Sequence, residues 1–247
     1  MRSVKAKLIV SNTLLIVAVL LLVGTTIAYF SEQKSITNTM TSGNVSIKLS
    51  EAQVKPDEFG NLVLDNDKPR VFGGREETVR DYGTVFPGQT IFKDPTVHCT
   101  GTEDAWMAAK ITLTDGNGDI HRIIGFPGHD EVDISLLLSG ALFSETAYFG
   151  DWNGYKNVTY NDHYAMLQLP DAVESEYSFI IFFLKPFEKG DSAVLFDTLS
   201  FPAEWGNEEI KEFADFKITV TAFGVQASGL DDCVSAMTAA FPEHINF

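Results

Sequence analysis

Alternating apolar and polar residues make β-strands the main prediction along this chain. Residues 44–51 place aliphatic side chains on one face and polar ones on the other, with Val45, Ile47 and Leu49 against Ser46, Lys48 and Ser50. Residues 216–227 alternate in the same way, so both segments predict half-buried strands. Residues 177–184, with the sequence YSFIIFFL, are almost wholly apolar and predict a central strand that is buried on both faces.

Turn residues divide the middle of the chain into short strands. A turn at 86–90 precedes a strand over 91–99, and a turn at 101–104 leads to a second strand over 105–113. These two strands predict neighbours in a β-meander. The charged, turn-rich stretch 53–80 predicts a surface excursion with one hairpin.

Helical spacing is rare in this sequence. Residues 132–142 have it, and residues 207–213 and 230–241 begin with polar or acidic residues that favour a helix N-terminus. No repeating βαβ unit is present. The pattern therefore predicts one antiparallel all-β domain over residues 44–247, a sandwich with a few short peripheral helices.

Residues 1–29 have the pattern of a secretory signal peptide. Basic residues precede the ten-residue apolar run 14–23, and small residues end at Ala28. A transmembrane helix over 8–28 is the alternative, because this stretch just reaches the ~20 residues that a bilayer span needs. A polar break at 11–13 and the lack of basic residues just after Ala28 favour cleavage, so we expect a secreted protein that meets the membrane only before cleavage.

Residues 30–43 predict an extended arm rather than a helix. The segment is polar and rich in serine and threonine, and its spaced apolar residues are Phe30, Ile36 and Met40. A segment of this composition has little reason to fold alone.

The charge balance is strongly acidic. The chain carries 18 Lys and Arg against 34 Asp and Glu, a formal net charge of −16. Three of the basic residues precede Glu32, so without residues 1–29 the net charge is −19. Such a surface repels phosphate backbones, which excludes nucleic acid as a partner.

Motifs for catalysis and metal binding are weak. No serine lies in a GxSxG motif. The five histidines lack the HExxH spacing of zinc peptidases: His98, His121, His129, His163 and His244. Residues 115–119, DGNGD, resemble the first half of a calcium loop but lack its later glycine and glutamate, so a hairpin turn is the preferred interpretation. We expect no catalytic residues, no metal ligands and no cofactor, apart from weak calcium binding by the acidic surface.

The two cysteines leave two interpretations open. Cys99 and Cys233 are 134 positions apart, and outside the cell a disulfide closing so long a loop would stabilise the fold by about 4 kcal/mol. Two separate thiols, one buried and one exposed, are the equal alternative, because the sequence does not give the Cα separation.

Three segments carry a resemblance to a known family. They are GTTIAYFSEQKSITNTMTSGNVSIKLSE, FPGQTIFKDPTVHCTGTEDAWMAAKITL and FPAEWGNEEIKEFADFKITVTAFGVQASGLDDCVSAMTAAF. In this order, at the beginning, middle and end of the chain, they resemble the TasA and camelysin-like proteins of Gram-positive bacteria. The chain departs from the family pattern at Cys99, where asparagine is more typical.

The resemblance implies a jelly-roll-like β-sandwich that is processed by a SipW-type signal peptidase. Cleavage would follow Ala28 or Tyr29, and the protein would be deposited in the extracellular biofilm matrix or on the cell surface. It also implies fibre formation, in which the arm inserts as a strand into a neighbouring subunit and Phe30, Ile36 and Met40 fill its pockets. The partners would be further copies of the chain or other matrix proteins. A camelysin-like surface metallopeptidase and a surface or accessory protein that does not polymerise are the alternatives.

Overall fold

The computed structural model describes residues 31–34, 44–73, 82, 84–114, 124–125, 132–133, 138–170, 176–203, 205–206, 210 and 216–245. About half of these residues are in strands, and the predicted all-β sandwich is confirmed.

The described strands are numbered in chain order. The first nine are β1 (Ser31–Lys34), β2 (Ile47–Glu51), β3 (Val54–Pro56), β4 (Leu62–Leu64), β5 (Val71–Phe72), β6 (Thr90–Phe92), β7 (Thr96–Cys99), β8 (Ala105–Thr114) and β9 (Ile124–Gly125). The next nine are β10 (Val132–Asp133), β11 (Leu138–Ser139), β12 (Tyr148–Trp152), β13 (Tyr155–Tyr160), β14 (Tyr164–Gln168), β15 (Glu176–Phe183), β16 (Ser192–Val194), β17 (Thr198–Ser200) and β18 (Lys217–Gln226). A 3₁₀ turn covers Ala141–Ser144, and helix α1 covers Cys233–Ala240.

Three sheets build the sandwich. A seven-stranded antiparallel sheet has the order β1-β18-β8-β15-β14-β13-β12. A five-stranded sheet, β11-β17-β6-β4-β3, and a four-stranded sheet, β16-β7-β2-β5, contribute to the same buried cluster as the large sheet. Both smaller sheets therefore cover one face of the seven-stranded sheet. β9 and β10 form a short parallel pair.

Alternate residues of the central strands enter two separate cores. Met107 and Ile181 lie in the inter-sheet core, between the large sheet and the two smaller ones. Trp106 and Phe182 point the other way into the helix-side core, which α1 covers. β15 is paired on both sides, by β14 and β8, and seven of its eight residues are buried. The prediction that residues 177–184 form a central strand buried on both faces is confirmed.

Helix α1 closes the helix-side core. The side chain of Asp232 caps the helix by accepting a 2.8 Å hydrogen bond from the backbone N–H of Ser235. Val234 and Met237 are buried on the inner side of the helix, and the Phe241 ring lies 5.1 Å from the ring of Phe223 on β18. The helix predicted over 230–241 is confirmed as α1, which begins later than predicted, at Cys233.

Other local predictions have mixed outcomes. The hairpin predicted within 53–80 exists as β3 and β4. The helix predicted over 132–142 is wrong in its described part, because Leu138 pairs with Leu199 as a strand and is fully buried there. The predicted meander is also wrong, since β7 and β8 belong to different sheets and the turn at 101–104 crosses between them. The helix predicted over 207–213 lies outside the described residues except for Ile210.

Candidate assembly edge

The first part of the predicted arm lies at one edge of the seven-stranded sheet. β1 pairs antiparallel with β18, with Ser31 opposite Val225 and Lys34 opposite Ala222. β1 covers four of the ten residues of β18, and these four, 222–225, are buried. The resemblance implies that the arm makes its ladder hydrogen bonds in a neighbouring subunit. In this structure residues 31–34 instead gain them within their own chain.

The remaining predicted residues of the arm are not described. Ala28, Tyr29 and Phe30 at the predicted cleavage region, and Ile36 and Met40 within the arm, lie outside the described residues. Their assignment to processing and to partner pockets stays a prediction.

The chain that follows the arm is fixed to the turn after β7. The carbonyl of Ser46 accepts hydrogen bonds from the backbone N–H groups of Thr100, at 2.7 Å, and Gly101, at 3.0 Å. The backbone N–H of Thr102 donates to the Asn44 carbonyl at 2.9 Å, and Asn44 N–H donates to the Thr102 hydroxyl at 3.2 Å. We call this contact between residues 44–46 and 100–102 the root clamp.

Two glycines allow this close packing. A Cβ atom on Gly101 would lie 2.2 Å from the Asn44 carbonyl oxygen, so only glycine fits the root clamp. A Cβ on Gly224 would lie 2.7 Å from Cγ2 of Ile47, because β2 packs closely under β18 beside the β1 edge. β18, the strand that pairs with β1, is therefore packed against β2.

A polar cluster next to the root clamp resembles a catalytic dyad. The Ser50 hydroxyl and His98 Nε2 are 2.7 Å apart, and Arg70 Nε donates to the same hydroxyl at 2.9 Å. Arg70 also forms a 2.6 Å ion pair with Asp94 and donates to the Thr96 hydroxyl at 2.7 Å. Ser50 is only 1% exposed, so no substrate reaches its oxygen in this structure. The cluster instead joins β2, β5 and β7 through one guanidinium group.

The environment of His98 disfavours its charged form. Burial, followed by the positive charges of Arg70 and Lys48, lowers the pKa of His98 below its ordinary value. The Phe72 ring lies 6.1 Å from the imidazole, and Ser192 is its strand partner. A neutral His98 is the form that this cluster accommodates.

The two cysteines lie in different cores. Cys99 is fully buried in the inter-sheet core, whereas Cys233 is buried in the helix-side core and its thiol donates to the Met107 carbonyl at 3.2 Å. Both are free thiols, and burial raises the pKa of each. The seven-stranded sheet separates the two residues, so no disulfide joins them. The alternative of two separate thiols agrees with the structure except that neither thiol is exposed.

The other candidate ligands do not come together. His163 pairs with Glu145 at 2.9 Å, and His244 lies beside Phe223. His121, His129 and residues 115–119 lie outside the described residues. Within the described part of the chain, no three His, Cys, Asp or Glu side chains are placed to hold a metal ion.

A hairpin at the opposite edge was not recognised in the sequence. β12 and β13 are joined by Asn153-Gly154, whose φ angles of 47° and 88° are those of a type I′ turn. The sequence signal for this hairpin is the Asn153-Gly154 pair. Because the hairpin was not recognised, the aromatic side chains on its two strands were not singled out either: Tyr148, Trp152, Tyr155 and Tyr160.

Comparisons with known proteins give no relatives. No family model, no curated protein and no solved structure matches the chain. In the described ranges, no helix combines the length and apolar character needed to cross a membrane. The resemblance to the TasA and camelysin-like proteins stays a prediction.

Proposed function

We propose that this chain is a secreted structural subunit of an extracellular matrix or cell surface, and that it assembles head to tail by exchange of its N-terminal arm. The observation that carries the proposal is the edge position of β1. A strand that pairs with β18 of its own chain can make the same backbone hydrogen bonds with β18 of a neighbour. The jelly-roll topology and processing by a SipW-type peptidase belong to the same proposal.

The composition of β1 supports exchange. Its four residues, SEQK, are all polar, so the strand leaves its place without exposing an apolar side chain of its own. A ladder hydrogen bond contributes a net stabilisation of about 0.5–1.5 kcal/mol, so a four-residue strand is held by only a few kcal/mol. Pairing within the chain is therefore weak enough to compete with pairing between chains.

The length of the connection also supports exchange. Nine residues, 35–43, join β1 to the root clamp. Fully extended, they reach about 30 Å, which is the diameter of a small domain. Because the root clamp fixes residues 44–46, the exchanging unit ends at a defined point of the fold.

Head-to-tail exchange joins two different surfaces of each subunit. Such a heterologous contact propagates without closing unless the rotation between subunits forms a ring. The net charge of −19 without residues 1–29 repels neighbouring subunits, so assembly should quicken as salt screens this charge.

Sedimentation of two proteins tests the proposal. Protein beginning at Phe30 should form large assemblies, whereas protein beginning at Asn44 should stay a folded monomer, because the root clamp and both cores remain. A synthetic peptide of residues 30–43 should inhibit assembly of the longer protein, and a scrambled peptide should not. Equal sedimentation of both proteins would contradict arm exchange.

The same preparation separates the alternatives. Protein that begins at Phe30 and stays monomeric at high concentration and high salt would favour the surface protein that does not polymerise. One zinc per chain by elemental analysis, lost together with casein cleavage on chelation, would favour the peptidase.

A further inference from the structure

Four aromatic side chains form a continuous strip at the sheet edge opposite β1. The Tyr148 and Tyr160 ring centroids are 5.9 Å apart, Tyr160 and Trp152 are 6.3 Å apart, and Trp152 and Tyr155 are 6.5 Å apart. The angles between successive ring planes are only 27–39°. We call these four residues the aromatic strip.

A β-bulge brings these rings to one face. The register of β12 and β13 shifts between Gly150 and Trp152, and Asn157 adopts a positive φ of 56°. An irregularity of this kind re-aims side chains that strict alternation would send to opposite faces. Trp152, Tyr155 and Tyr160 consequently all pack against the rim of the helix-side core.

The aromatic strip reaches the surface at Tyr148, and one of its residues, Trp152, has an indole N–H that is free within the described part of the chain. Tyr148 is 68% exposed, and a Cβ on Gly150 would meet no atom within 4 Å, so the surface between the rings is open. The indole N–H of Trp106 donates to the Leu230 carbonyl, but that of Trp152 has no acceptor among the described residues. Trp152, Tyr155 and Tyr160 are half-buried, so the aromatic strip offers a ligand one exposed ring, the outer parts of three others and one free indole donor.

The ligand must suit flat rings on a strongly acidic protein. The net charge of −16 disfavours nucleic acids and other polyanions, even though bases also stack on aromatic rings. A peptide strand added to β12 is disfavoured too, because a bulge interrupts that edge and Asp151 within it is exposed. An uncharged polysaccharide avoids both problems, since its C–H faces pack on the electron-rich ring faces and its hydroxyls accept hydrogen bonds.

We propose that the aromatic strip binds a neutral polysaccharide chain. This activity goes beyond assembly and does not depend on the arm, whose described part, β1, lies at the other edge of the sheet. Successive sugar rings would lie along Tyr148, Tyr160 and Trp152, with Trp152 Nε1 donating to a sugar oxygen.

Co-sedimentation and fluorescence titration test this binding. Purified protein, at a concentration where it is monomeric, is mixed with microcrystalline cellulose or with chitin, and is titrated with cellohexaose or chitohexaose. The two polymers distinguish plain glucose units from acetamido sugars. We expect binding to at least one polymer and a change in tryptophan emission that disappears in Trp152→Phe.

Two neighbouring substitutions form the matched pair. Tyr148→Ala removes the most exposed ring of the aromatic strip and should weaken binding about five- to tenfold. Phe149→Ala removes a 49% exposed ring from the opposite face of β12 and should bind like wild type. Circular dichroism would show that both variants are folded.

Four results would overturn the proposal. The first is that neither polymer binds, the second is that Tyr148→Ala binds as tightly as wild type, and the third is that Phe149→Ala weakens binding as much as Tyr148→Ala does. A loss of self-association in Tyr148→Ala without any glycan would also overturn it, because the aromatic strip would then be a contact between copies.

Discussion

Replacing Gly101 by alanine should break the root clamp. The new Cβ would lie 2.2 Å from the Asn44 carbonyl oxygen and 2.7 Å from the Ser46 backbone nitrogen, and both are backbone atoms that a rotamer change does not move. Residues 44–46 must therefore separate from residues 100–102. At about 1 kcal/mol net for each of the two to four hydrogen bonds affected, we expect a loss of about 2–4 kcal/mol.

Urea unfolding measures this loss against a matched glycine. A Cβ on Gly73 would lie 3.7 Å from its nearest atom, the Leu49 carbonyl oxygen, which is an ordinary contact. Gly73→Ala should therefore change the free energy of unfolding by no more than about 0.5 kcal/mol. Gly101→Ala should lower the urea midpoint with an unchanged m-value and accelerate hydrogen exchange at the amides of residues 100–102. A stability within 0.5 kcal/mol of wild type would refute the root clamp.

Three further predictions concern protonation, the thiols and processing. Folding lowers the pKa of His98 below its ordinary value of 6.5, so the unfolded state binds a proton at His98 more tightly than the folded state does. The contribution of His98 to the free energy of unfolding is therefore constant above pH 6.5 and decreases as the pH falls below it. The difference in thermal stability between wild type and His98→Gln, measured from pH 8 to pH 5, should show this slope, and parallel curves would contradict it. Cys99 and Cys233 should react with a thiol reagent only after unfolding, giving two thiols per chain, and a disulfide found by mass spectrometry would contradict the structure. N-terminal sequencing of secreted protein should begin at Tyr29 or Phe30, and retention of residues 14–23 would revive the membrane anchor.

The segments that were predictable are those with strong local signals. β15 is a mainly apolar run without glycine or proline, and α1 begins at an acidic cap, so neighbouring residues alone specify them. The strand at 44–51 was predicted too, but Ser50 was assigned to the polar face and is in fact 1% exposed. Its burial depends on Arg70, twenty positions away, which no periodicity reveals.

The functional edges were less predictable because their signals are weak or non-local. β1 is four polar residues without alternation, and its partner β18 is nearly two hundred positions later. The aromatic strip depends on a bulge that breaks the period of two on which strand prediction relies. The crossing of the chain between sheets at 101–104 looks locally like any hairpin turn.

Disulfide trapping of β1 on β18 tests the central claim most directly. Ser31 and Val225 are directly opposite, so Ser31→Cys with Val225→Cys places two thiols in neighbouring strands at near-disulfide separation. The native cysteines are buried and do not compete.

The same double variant is oxidised in two states and run on a non-reducing gel. Oxidised as a dilute monomer, it should give a single-chain band and should no longer assemble until reductant is added. Oxidised after assembly, it should give a ladder of covalently linked chains, because each β1 then lies on the β18 of a neighbour. A single-chain band in both states would show that β1 stays in its own sheet and would contradict assembly by arm exchange.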